Sequence, residues 1–145
     1  MNRIKVEMPD NCVFKTNYEI QIADINYGGH VGNDRILTIA QEARMQYFRS
    51  LGYKNEVELE GNVGSIMADA AIEYKAESHY GEKVTIALGV KQLSKYGFDM
   101  YYEIKRLNDE KIIARIKTGI LFMDYEKRKI APVPSKIADE INHYL

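Results

Sequence analysis

Residues 24–52 read DINYGGHVGNDRILTIAQEARMQYFRSLG, and the spacing of the apolar residues changes within that stretch. Asp24 to Gly32 is turn-rich and carries three glycines. Beyond it Ile36, Ala40, Ala43, Tyr47 and Leu51 step at three or four residues, with Leu37, Arg44 and Phe48 beside them. That spacing predicts an amphipathic helix of about four to five turns. Asn33 or Gly32 can cap its start, Asp34 suits its positive end, and Gly52 follows its last apolar residue.

On either side of this helix the pattern is that of strands. From Tyr18 to Ile22 apolar residues alternate with Glu19 and Gln21. Val63 to Glu77 alternates in part, with Ile66, Ala68, Ala70, Ile72 and Tyr74 expected on one face and Asp69 and Glu73 on the other. Lys83 to Leu93, Phe98 to Leu107 and Ile112 to Tyr125 follow, separated by turns at Ser94 to Gly97 and at Asn108-Asp109. Pro132 and Pro134 close the sheet region, and Ser135 can cap a short helix running to about Tyr144. One strand, a long helix and four consecutive strands imply an α+β domain with an antiparallel sheet of about five strands over one helix.

Composition narrows the class. The 145 residues suit one domain spanning 1–145, and no repeat or Pro/Gly/Ser-rich linker divides them. Lys plus Arg number 20 against 21 Asp plus Glu, a balance that gives no electrostatic case for nucleic acid or an anionic membrane. No apolar run approaches the roughly 18 residues that span a bilayer, and Met1 to Asp10 lacks a signal peptide's apolar region, so a cytoplasmic location is expected. Cys12 is the only cysteine, so no internal disulfide is possible, and its apolar neighbours suggest a buried filler. The three histidines and one cysteine show no metal-ligand spacing. No Gly-rich loop followed by Lys and Ser/Thr points to nucleotide hydrolysis.

Asp24-Ile-Asn-Tyr-Gly-Gly-His-Val-Gly-Asn33, followed by Glu42-Ala-Arg44, resembles the signature of the hot-dog acyl-CoA thioesterases, in the branch of 4-hydroxybenzoyl-CoA thioesterase. Ile72-Glu-Tyr74 with His79-Tyr-Gly-Glu82, and Ala114-Arg115 with Phe122-Met-Asp124 and Pro134, resemble later parts of the same pattern. The resemblance implies a long helix wrapped by an antiparallel sheet. It also implies a homodimer or homotetramer with sites between subunits, and an acyl-CoA substrate. No cofactor is implied beyond the CoA of the substrate.

The chemistry suits such a segment. A thioester carbonyl needs donors that strengthen as it becomes an oxyanion, and a helix N-terminus supplies unpaired N–H groups and a positive dipole end. The glycines at 28, 29 and 32 allow the backbone to approach a ligand closely, and Tyr27 can border the acyl slot. The resemblance implies that the backbone near Asn33 points at the carbonyl. It also aligns the family's catalytic aspartate with Asn26, which cannot serve as a nucleophile or base but can orient water. If the chain is still extended there, Asp24 and Asn26 point the same way. Asp24 would then be the base, with Asn26 and His30 holding water or substrate.

Each of these residues also has an ordinary reading. Asp24 and Asn26 are common turn residues, and His30 can pack or cap the helix. Asp34 serves the helix dipole. Glu42 is a second carboxylate near the site or part of a solvated face, and Arg44 pairs with an acid or a neighbouring subunit. Asp69 and Glu73 line a solvated or interface face, and His79 and His143 are surface residues. Arg35, Lys75, Lys83, Lys95 and Arg128 are too scattered to assign to CoA phosphates. Two alternatives stay open: a hot-dog protein that binds acyl-CoA without hydrolysing it, and an enoyl-thioester hydratase on the same fold using His30 and Glu42.

Overall fold

A computed structural model describes residues 1–145. In chain order the elements are β1 (Phe14–Glu19), a short 3-10 turn (Ile22–Asp24), α1 (Asn33–Ser50), β2 (Val63–Tyr74), β3 (Lys83–Lys91), β4 (Gly97–Arg106), β5 (Ile112–Asp124), β6 (Lys129–Ile130) and α2 (Ser135–Asn142). The sheet runs in the order β1-β3-β4-β5-β2 with every pair antiparallel. A sixth strand joins the expected five: the two residues of β6 pair with Met123 and Asp124 of β5.

One face of the sheet holds the core. Val84, Ile86, Leu88 and Val90 of β3 are buried with Phe98, Met100, Tyr102 and Ile104 of β4 and Ala114, Ile116, Ile120 and Phe122 of β5. Against them lies α1, which buries Ile36, Ile39, Ala40, Ala43, Arg44, Tyr47 and Phe48. Its 18 residues make a rod about 27 Å long, enough to cross most of the sheet. Arg44 is carried into this core. Its guanidinium meets Glu56 and the Tyr102 hydroxyl, which in turn contacts the Thr118 hydroxyl at 2.8 Å.

Three local expectations are corrected. The alternation of β2 breaks at a bulge, because Met67 pairs with Ile120 and Asp69 with Gly119, leaving Ala68 extra. Ile66 therefore shares the outer face with Asp69 and Glu73, while Ala70, Ile72 and Tyr74 share the core-facing side. Ser135 is the first residue of α2 rather than its cap. Pro134 holds the cap position, where its missing N–H costs nothing. Cys12 is exposed, not buried, because it precedes β1 and only Val13 turns inward.

No helix is long and apolar enough to cross a membrane.

Candidate active site

The segment between β1 and α1 folds as a turn and a tight hairpin. The 3-10 turn reverses the chain after Gln21, with the Asp24 amide donating to the Gln21 carbonyl at 2.9 Å. A hairpin follows. Ile25 bridges to Val31, the Asn26 amide donates to the His30 carbonyl at 2.9 Å, and the Gly29 amide donates to the Asn26 carbonyl at 3.1 Å. Gly29 sits at φ +84°, the left-handed position that closes a three-residue hairpin loop.

This local fold separates the two residues expected to point together. The 3-10 turn ends the extended period, so Asp24 is wholly buried while Asn26 is exposed. The Asp24 carboxylate accepts hydrogen bonds from the Tyr18 hydroxyl (2.6 Å), the Gln21 amide (2.9 Å), and Nε (3.1 Å) and Nη2 (3.0 Å) of Arg35. Burial alone would raise its pKa, but these donors outweigh burial and hold it below the usual aspartate range. Burial, with help from Asp24, raises the Tyr18 phenol, so its hydroxyl stays protonated and donating. This arrangement leaves Asp24 no free lone pair to take a proton from water. It ties β1, the loop and the first turn of α1 into one unit.

The start of α1 is left open. Gly32 is its cap residue, and no side chain caps the helix. The first amides of a helix have no intrahelical acceptor, and no hydrogen bond in the structure uses the amide of Asn33 or Asp34. Beside this terminus lies a cavity of about 300 Å³. Val31, Ile36, Ala76 and Ile113 give it apolar walls, and His30, Asn33, Tyr74, Glu77 and Ser78 supply polar atoms. The Tyr74 hydroxyl donates to the Asn33 carbonyl at 2.9 Å, and the Val31 amide donates to the Ser78 carbonyl at 2.9 Å, so the strand end and the loop close around the helix start.

Of the residues singled out in the sequence, the cavity brings together His30 and Asn33. The His30 ring places Nδ1 3.1 Å from the Val31 carbonyl and Nε2 3.7 Å from Glu77 Oε1. Asn26 is next to it: a Cβ at Gly28 would meet His30 Nε2 at 3.3 Å and Asn26 Oδ1 at 3.4 Å, so both side chains converge over that glycine. Asn26 Oδ1 accepts the Gly28 amide at 2.9 Å, which leaves its Nδ2 free. Tyr27 stands fully exposed at the loop tip and does not line the cavity at the helix start. Gly29 is exposed, and a Cβ placed there would meet open space, an open approach to the loop. Glu42 is exposed on α1 beside Gln46. Tyr74, Glu77 and Ser78 were not foreseen, because they reach the helix start only through the closure of β2 against β5.

A long helix packed on the core face of an antiparallel sheet, with an open helix N-terminus at a small apolar cavity, defines a hot-dog domain. The sequence profile of the Thioesterase-like superfamily matches residues 20–141, and the chain belongs to that superfamily. A 1,4-dihydroxy-2-naphthoyl-CoA hydrolase of Synechocystis sp. is 26% identical over 123 residues, 83% of this chain and 88% of that protein. The crystal structure of Slr0204, a 1,4-dihydroxy-2-naphthoyl-CoA thioesterase from Synechocystis, superposes with a TM-score of 0.80 at 24% identity, over 89% of this chain and 95% of that one. A gentisyl-coenzyme A thioesterase superposes with a TM-score of 0.78 at 16% identity, over 88% of this chain and 99% of that one.

Proposed function

We propose that the protein hydrolyses an acyl-CoA to the free acid and CoA. The observation that carries this reading is the apolar cavity at the start of α1, lined by Asn33, where the amides of Asn33 and Asp34 have no hydrogen-bond acceptor. Those amides would receive the thioester oxygen and hold it more strongly as charge develops there. His30 and Asn26 would hold the attacking water, with Tyr27 and Gly29 bordering the approach. Asp24 anchors the loop and positions these groups. CoA arrives with the substrate, and the reaction needs no other cofactor. Membership of the superfamily and the names of the relatives support a CoA thioester. All three of those names carry an aromatic acyl group.

The reading includes a homodimer. β2 is an edge strand of 12 residues, paired only to β5, and Met67, Ala68, Asp69 and Ala70 are exposed along it. Such an edge offers unpaired backbone groups to another strand. Tyr74 at its end lines the cavity, so a second copy along β2 would wall the site.

The test is thiol release from a panel of aromatic and straight-chain acyl-CoAs by the wild type and His30→Ala. Turnover that falls by at least about 100-fold in His30→Ala supports the reading. A wild type that binds acyl-CoA and releases no thiol overturns it in favour of a binding protein.

A further inference from the structure

We infer that Glu77 is the base that activates the attacking water, an assignment that rests on the hydrolysis reading above. The loop before the helix offers no usable carboxylate. Position 26 is asparagine, and the Asp24 carboxylate is buried and accepts four hydrogen bonds. Glu77 is the one carboxylate lining the cavity at the helix N-terminus.

Its backbone is held firmly enough for the task. The Glu77 carbonyl accepts from Arg106 Nη2 at 2.7 Å. The next carbonyl, that of Ser78, accepts from the Val31 amide at 2.9 Å, which fastens this segment beside the residue that follows His30. Ser78 donates its hydroxyl to Glu82 at 3.1 Å, and Glu82 is paired with Arg106 at 2.8 Å. The Glu77 side chain is left free to face the cavity. One carboxylate oxygen lies 3.7 Å from His30 Nε2, and the other lies 3.9 Å from Nε2 of exposed His79.

The pair fits one water. His30 Nδ1 faces a carbonyl, which can only accept, so the tautomer that carries its proton on Nδ1 presents Nε2 as an acceptor. Across the 3.7 Å gap a water oxygen can stand about 2.8 Å from both Nε2 and Oε1, giving one hydrogen to each. Its lone pairs then face away from both, toward a carbonyl carbon whose oxygen is held by the amides of Asn33 and Asp34.

The step balances. The water oxygen bonds to the carbonyl carbon while one of its protons passes to the Glu77 carboxylate. The C=O π pair moves onto the oxygen at the helix terminus. Collapse restores the carbonyl, breaks the C–S bond and leaves that pair on sulfur. The proton on Glu77 returns to the thiolate, and the product acid loses its own proton to solvent.

The experiment compares wild type, Glu77→Gln, Glu77→Asp and His79→Ala on the best substrate of the panel, with melting curves beside the kinetics. Glu77→Gln is expected to lose at least about 100-fold in kcat with KM within about threefold and an unchanged melting temperature. Glu77→Asp is expected to recover part of the rate. His79→Ala, which removes only the exposed neighbour, should stay within about twofold of wild type. A single turnover of wild type in ¹⁸O-water should label the product acid. Unlabelled acid from that first turnover would mean direct attack by a carboxylate and overturns the assignment. Active wild type with an equally active Glu77→Gln overturns it also, while leaving hydrolysis standing. A wild type inert toward every thioester overturns the hydrolysis reading itself.

Discussion

Asp24 shows how little a residue's position in a motif says about its protonation chemistry. Its carboxylate is enclosed by Tyr18, Gln21 and Arg35, and these donors keep it ionised. Its folded pKa lies below the unfolded value of about 3.9. Its contribution to stability is therefore complete above that value and is lost as the pH falls through the folded value. Thermal melting of the wild type should fall steeply below about pH 4, and Asp24→Asn should flatten that slope. Asp24→Ala should cost about 2–3 kcal/mol in urea unfolding by stranding its donors. An anchor can be told from a base: Asp24→Asn should keep kcat within about tenfold, whereas a lost base would cost at least about 100-fold.

The elements were legible in the sequence in proportion to how local their causes are. Helix α1 follows from the step of Ile36, Ala40, Ala43 and Tyr47, and the strands follow from alternation. The bulge at Ala68 did not show, because it depends on how β2 meets β5 and leaves no mark in the alternation around it. The turn at Ile22–Asp24 was hidden for a similar reason: Ile22 continues the strand's alternation, and the reciprocal bonds between Asp24 and Gln21, amide to carbonyl and amide to carboxylate, end it. Of the site, the loop and the helix start were readable because they are contiguous. Tyr74, Glu77 and Ser78 were not, since more than forty positions separate them from His30 and Asn33. The same long-range closure buries Arg44 against Glu56 and Tyr102. Arg44→Met should destabilise by about 3–5 kcal/mol, because it leaves a largely buried carboxylate without its cation. Adding Glu56→Gln should recover part of that loss in the same urea titration.

At the scale of the molecule the sheet has two unequal edges. β1 offers six residues and β2 twelve, and the cavity opens beside the end of the longer one. Light scattering should report twice the 16.7 kDa of one chain. Ala70→Glu, at an exposed position of the β2 edge, should shift the mass toward one chain by setting like charges across the contact. Activity should fall with it if the partner walls the site. The open start of α1 carries a further consequence. A helix capped only by Gly32 is incomplete while the cavity is empty, and an anionic or carbonyl ligand supplies the missing acceptor. Occupancy and folding are then linked: saturation at 100 times Kd would add about 2.7 kcal/mol. Slowly hydrolysed acyl-CoA analogues should raise the melting temperature and slow amide exchange at Asn33 and Asp34 first, so the resting enzyme is the least stable species of its own catalytic cycle.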